Sequence, residues 1–128
     1  MAGIRGLSGW LGTVLGTPDP VGLGRFYAAL LGGEVDEGDG TFVTLGLGGT
    51  HYLACQLETD HVPPVWPSGP GDQQMQAHLD IGVGSLAEAV ADAEALGARQ
   101  AGFQPQDDVR VMLDPAGHPF CLYLDTDD

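Results

Sequence analysis

Lysine is absent from this chain, and bases of any kind are scarce. Arg5, Arg25, Arg99 and Arg110 stand against 18 carboxylates in 128 residues, for a formal net charge of −14. A surface of that sign repels phosphate backbones and anionic headgroups, so neither nucleic acid nor a membrane is expected as a partner. The acidity itself reads as solubility. Long apolar runs are missing too: none approaches the ~20 residues of a membrane span. The N-terminus has Arg5 but no long apolar segment of a signal peptide. Two cysteines, Cys55 and Cys121, make no disulfide framework. Both fall in expected strands, where reduced cysteine behaves as a small hydrophobe. The cytoplasm is the expected compartment. Also lacking are a P-loop, a dinucleotide fingerprint and a nucleophile elbow. Gly46-Leu47-Gly48-Gly49 lies between two strands rather than before a helix, which makes it a turn.

What is present is a pattern that occurs twice. Residues 109–124 read VRVMLDPAGHPFCLYL, two apolar runs around the turn Asp114-Pro115-Ala116-Gly117-His118-Pro119. Pro115 presets its φ and Gly117 supplies the freedom a tight reversal needs, so a β-hairpin is expected. Upstream, residues 42–45 and 52–57 form a weaker copy around the glycine-rich turn. Each hairpin follows a strand and a helix. Residues 10–15 alternate as a strand. Asp19 is a natural N-cap and Pro20 suits the first helical position. Leu23, Phe26, Tyr27, Leu30 and Leu31 make one apolar stripe, which Gly32 and Gly33 end. In the second half, residues 77–83 alternate strictly: Leu79, Ile81 and Val83 on one face, His78, Asp80 and Gly82 on the other. Ser85 with Glu88 marks the next helix start. Leu86, Ala89, Val90, Ala93 and Leu96 form its stripe, closed by Gly97. Short strands near 34–36 and 99–101 precede the hairpins.

The order β-α-β-β-β thus appears twice, and the fold class is α+β. We expect two βαβββ modules forming curved mixed sheets around a cleft, helices on the outer faces. They make one structural domain: residues 1–58, a Pro/Gly-rich connector at 59–76, and residues 77–128. Trp66 sits in that connector, either covering the core edge or walling a ligand pocket. His51, His61 and His118 fall in turns or the connector and are expected in solvent, with His118 able to order its turn.

Together with this duplication, LDPAGHPF and AHLDIGV resemble the vicinal oxygen chelate superfamily of glyoxalases, bleomycin-resistance proteins and extradiol dioxygenases. PPVWP, Gln73-Gln74, His78-Leu79-Asp80 and residues 114–121 look like one bacterial glyoxalase-like subgroup of mostly unassigned function. The resemblance covers nearly the whole chain. It implies a fold and not a reaction. It also implies pairing of modules within or between chains, so a homodimer is expected.

Metal-using members of that superfamily place four ligands on the first and last strands of each module. Carried over one by one, the positions fall on His78, Cys121, Gly12 and Ala54. Gly12 and Ala54 offer no donor. His78, Cys121 and Gln56, the last two residues beyond Ala54 on the same face, would supply three; glutamine oxygen is a weak ligand, and Cys–His donors suit Zn²⁺. No cofactor and no stoichiometric metal are therefore expected. The favoured reading is a protein that binds a small, planar or aromatic organic molecule, with Trp10, Gln56, Trp66, Gln74, His78, Cys121 and Tyr123 lining the site. His78 and Cys121 should line the largest pocket. The alternative is a lyase, isomerase or dioxygenase-type enzyme, metal-dependent through His78 or metal-free with His78 as acid–base.

Overall fold

Two helix starts set the frame of the molecule. In the computed structural model, which describes residues 3–126, Asp19 Oδ1 accepts a hydrogen bond from the Gly22 amide at 3.0 Å, and Pro20 opens helix α1 (Pro20–Leu31). Ser85 Oγ accepts from the Glu88 amide at 3.3 Å at the start of helix α2 (Leu86–Ala95). Each cap satisfies an amide that the helix itself leaves without a partner. Gly32 ends α1 in the left-handed conformation, its N–H bonded to the Ala28 carbonyl.

The chain folds as two compact units that divide between Thr59 and Asp60. In the first, strand β1 (Leu11–Thr17) precedes α1, and β2 (Glu34–Asp36), β3 (Phe42–Gly46) and β4 (His51–Leu57) follow it. The sheet order is β1-β4-β3-β2, with β1 parallel to β4 and the other pairs antiparallel. In the second, β5 (Leu79–Val83) precedes α2, followed by β6 (Arg99–Gln100), β7 (Val109–Leu113) and β8 (Pro119–Leu124). Its order is β5-β8-β7-β6, again with one parallel pair, β5 with β8. The fold is therefore α+β, two βαβββ modules each carrying a four-stranded mixed sheet and one helix.

The two helices are anchored differently. Leu23, Phe26 and Tyr27 of α1 are buried with Val43, Leu45, Leu53 and Cys55 of its sheet. Phe26 and Tyr27 meet edge to face at 4.9 Å. Helix α2 packs on β8, where Phe120 and Leu122 are buried, yet Ala93 is the one residue of α2 that is itself buried. The expected stripe is thus only partly realised. Leu96 is 41 % exposed because the helix ends at Ala95 and Leu96 is already the cap.

The β7–β8 turn is held by a buried carboxylate. Asp114 Oδ1 accepts from the Ala116 amide at 2.9 Å and the His118 amide at 3.0 Å. Gly117 adopts φ 88°, and Pro63 of the connector packs against its Cα, where a Cβ would meet Pro63 Cβ at 2.7 Å. Two histidines expected in solvent pack here instead. His61 Nε2 lies 2.8 Å from the Ala116 carbonyl, and its ring centroid is 5.0 Å from that of His118. The connector enters beside this turn, and that closeness partly shields both rings.

Candidate functional site

Strand β8 supplies the base of a cleft in the second unit. Alternation turns Phe120 and Leu122 into the core and leaves Cys121 on the opposite face, half-buried. Val111 pairs with Cys121 and Val109 with Tyr123 across the β7–β8 ladder, so Val109, Val111 and Cys121 share that face. With Pro119 they floor a cleft of about 180 Å³. That is the scale of a cavity holding one aromatic ring, ~150 Å³.

The walls come from loops that side chains tie down. Trp66 and Met75 of the connector close one side. The Val65 amide bonds the Gln73 carbonyl at 2.9 Å, which shuts the connector into a loop, and Trp66 Nε1 donates to the Phe103 carbonyl at 3.4 Å. Pro105 and Gln106 form the other side. Gln104 fixes the start of that segment: its amide nitrogen donates to the Ala101 and Val111 carbonyls, and its oxygen accepts from the Val111 amide at 2.8 Å. This side chain continues the ladder where the two-residue β6 stops. Arg110 fixes the end, Nη1 donating to the carbonyls of Gln106, Asp107 and Val109.

His78 stands at the mouth, one residue before β5 begins. Its Nε2 lies 3.1 Å from Asp80 Oδ1. At that distance the imidazole and the carboxylate are close enough to interact electrostatically. Asp80 in turn pairs with Cys121 across β5 and β8. Ligand atoms of His78, Asp80 and Cys121 all lie within 4.8 Å of one another. Burial pushes the Cys121 thiol upward, and the Asp80 carboxylate beside it adds to that shift. Cys121 is accordingly a neutral thiol near neutral pH, not a poised nucleophile.

Of the residues singled out from the sequence, Trp66, His78 and Cys121 come together in this cleft. Gln74 does not line it; its neighbour Met75 does. Tyr123 is absent from the lining because its ring lies over Gly82 instead, where a Cβ would meet it at 3.0 Å. Trp10 and Gln56 belong to the first unit. Trp10 precedes β1 and is 60 % exposed, and Gln56 donates to Glu58 at 3.0 Å. Of the two hollows described, the larger by volume is not this cleft but a notch of about 410 Å³ in the first unit. Residues 31–34 and 46–48, four of them glycine, surround it. The notch offers backbone and the Glu34 carboxylate, and no group for acid–base or metal chemistry beyond that.

Asp80 was missed as a site residue. The alternation of residues 77–83 already put it on the face of His78, two residues away, and that spacing is the signal that could have found it.

The equivalent positions in the first unit are blank. Gly12 precedes the Asp19 cap by the interval at which His78 precedes Ser85. Val14 pairs with Ala54 as Asp80 pairs with Cys121. The Tyr52 ring lies against Gly12, where any Cβ would run into it. Ala54 is fully buried. These residues do not fit the four-donor metal set that the resemblance implies, because two of its positions carry no donor.

Fold and cleft together define a duplicated βαβββ protein with a one-module pocket. Residues 12–123 match the family described as Glyoxalase-like domain, and the chain belongs to that family, within the vicinal oxygen chelate superfamily. Among solved structures it is similar to a fosfomycin resistance protein from Mesorhizobium loti, with TM-score 0.66 and 11% identity over 94% of each chain. A glyoxalase/bleomycin resistance protein/dioxygenase family enzyme from Burkholderia phytofirmans gives TM-score 0.65 and 18% identity, over 88% of this chain and 95% of that one. A glyoxalase/bleomycin resistance protein from Catenulispora acidiphila gives 0.58 and 18%, over 91% and 98%. At these identities the likeness is one of fold. No curated protein matches the chain. No helix among the described residues is long and apolar enough to cross a membrane.

Proposed function

We propose that this glyoxalase-like protein binds a small planar or aromatic organic molecule, one ring of which enters the cleft of the second unit. The observation that carries the reading is the cleft's lining: Trp66, Met75, Pro105, Val109, Val111 and Pro119 around the polar groups of His78, Gln106 and Cys121. Apolar area supplies affinity, and the sparse polar groups orient the ligand. His78, beside Asp80, offers a ring nitrogen to a phenol or ring N–H. Calorimetric titration with 2-naphthol, indole and 4-nitrophenol tests this. Saturable binding of at least one, weakened about tenfold in His78→Ala, is the expected result. No heat from any of them, or equal affinity in the variant, overturns it.

The His78–Asp80 contact favours a second reading, a lyase- or isomerase-type enzyme with His78 as acid–base. Deuterium exchange from solvent into a bound ketone, lost in His78→Ala, would distinguish catalysis from binding alone. We further propose a homodimer in the cytoplasm. Support comes from the superfamily's habit of pairing modules, and from edge strand β1, which leaves Leu11 and Val14 exposed. A monomer mass by light scattering at micromolar concentration, unchanged on dilution or concentration, rules the dimer out.

A further inference from the structure

We propose that His61 and His118 form a proton-operated latch: acid lets the connector lift from the β7–β8 turn and loosens the Trp66 wall of the cleft. The latch goes beyond the aromatic-ligand reading and does not depend on what the cleft binds.

The connector and the turn meet within the second unit. His61 Nε2 lies 2.8 Å from the Ala116 carbonyl, which can only accept, so the imidazole donates there. The His61 ring stands 5.0 Å from the His118 ring, tilted 45° to it. Pro63 packs on Gly117, where the missing Cβ lets the chain come that close. The turn is the firm side. Buried Asp114 accepts from the Ala116 and His118 amides, and its own amide donates to the His118 carbonyl at 3.0 Å. The connector is the side that can move. Between Leu57 and Leu79 the chain has no helix or strand. The connector's backbone bonds, Val65 to Gln73 and Asp72 to Gly69, stay inside it. Side chains therefore tie it down: His61, Pro63, and Trp66 through its bond to the Phe103 carbonyl. Both halves of the latch adjoin the cleft. Trp66 lies further along the same connector, and Pro119, part of the cleft floor, follows His118 directly.

Histidine is the side chain whose ordinary pKa, about 6.5, lies in the physiological range. Both rings are half-buried, so two positive charges 5.0 Å apart would repel with little water between them. The surroundings offset this only in part. Asp114 is the sole carboxylate of residues 114–118 and is already engaged by two amides. On the connector, Asp60 precedes His61, while Asp72 accepts from the Gly69 amide at 2.9 Å. The turn between α2 and β6 approaches Pro115 through Gly97; residues 95–98 carry no titratable side chain, and Arg99 beyond them is exposed. Opening separates the two charged rings, so acid drives opening and alkali drives closure.

Acrylamide quenching of Trp66 tests the latch in the Trp10→Phe variant, where Trp66 is the sole indole. Between about pH 8 and about pH 5.5, either side of histidine's ordinary pKa, the quenching constant should rise about twofold as the wall loosens. Far-ultraviolet circular dichroism should stay constant over the same range. His61→Gln keeps a donor for the Ala116 carbonyl and cannot take a charge. On the same background it should hold quenching flat, and so should His118→Gln. His78 is the titratable ring at the cleft mouth, and His78→Gln should leave the rise in place. A flat profile in the Trp10→Phe protein overturns the proposal. So does a rise that survives either latch substitution, or one that vanishes in His78→Gln, which would trace it to the ring at the mouth. Loss of ellipticity alongside the rise would make it acid unfolding and overturns it too. No ligand is present in these measurements, so a failed latch leaves 2-naphthol binding standing, and failed binding leaves the latch standing.

Discussion

The two units share one topology and one register, yet among the described residues it is the second that brings His, Asp and Cys side chains together. Val14 faces Ala54 where Asp80 faces Cys121, and Gly12 lies under the Tyr52 ring where His78 stands at a cleft mouth. The anchoring runs the other way. In the first unit α1 drives two aromatic rings into its core, whereas α2 buries one alanine. The duplicated fold thus differs in two places: the first copy anchors its helix more deeply, while the sheet of the second has its own buried core of Met112, Phe120 and Leu122 and carries the donors on its other face. The backbone does not dictate which copy carries the candidate donors; a few residues on and beside the parallel strand pair do.

The largest effect that can break this comparison lies in the helices. Phe26→Ala should cost about 3–5 kcal/mol, read as a shift in the urea midpoint at unchanged slope. Val90→Ala on α2, half-buried, should cost about 1 kcal/mol or less. Equal costs would mean that the helices are anchored alike. Next comes the Gly12 position. Gly12→Ala should destabilise by about 1–3 kcal/mol, because the Tyr52 ring must move aside. His78→Ala, at the matching position, should stay within about 0.5 kcal/mol of wild type. A Gly12→Ala protein as stable as wild type would show the ring to be a movable filler, and the first unit open to a grafted donor.

A smaller effect sharpens the chemistry. The Cys121 thiol is pushed up, first by burial and then by Asp80. Its alkylation by iodoacetamide in native, metal-free protein should therefore be slow at neutral pH. Below the thiol's pKa the rate should climb roughly tenfold per pH unit, since the thiolate is the nucleophile. Asp80→Asn removes the neighbouring negative charge, lowers that pKa and should speed alkylation a few-fold at fixed pH. An unchanged rate would separate Asp80 from Cys121 electrostatically and weaken the idea of a three-residue cluster. Peptide mapping distinguishes Cys121 from Cys55, which is buried in β4.

Local chemistry made much of this legible in the sequence. Asp19, Pro20 and Gly32 bound α1, Ser85 opens α2, and residues 114–118 make the turn, each through a bond or dihedral its own residue type supplies. His78 and Cys121 were legible by alternation, and Trp66 by its oddity in a proline-rich connector. The rest depends on contacts that periodicity does not encode. The connector has no regular period, so nothing told Met75 from Gln74. His61 and His118 looked solvated because their packing comes from a contact 55 residues apart in sequence. The turn of Tyr123 over Gly82 likewise depends on the small residue opposite it. Asp80 was within reach of the same alternation that marked His78, and only its pairing with Cys121 needed the cross-strand register.

The two tryptophans, one in each unit, allow the most direct measurement. Trp10→Phe leaves Trp66 as the sole indole, and Trp66→Phe leaves Trp10. Both variants would be titrated with 2-naphthol, indole-free buffer serving as the blank, while calorimetry follows occupancy. The account predicts a saturable change in Trp66 emission in the first variant and a silent Trp10 in the second, with His78→Ala weakening the response. A ligand that binds while Trp66 stays silent and Trp10 responds would place the site in the first unit and contradict the account.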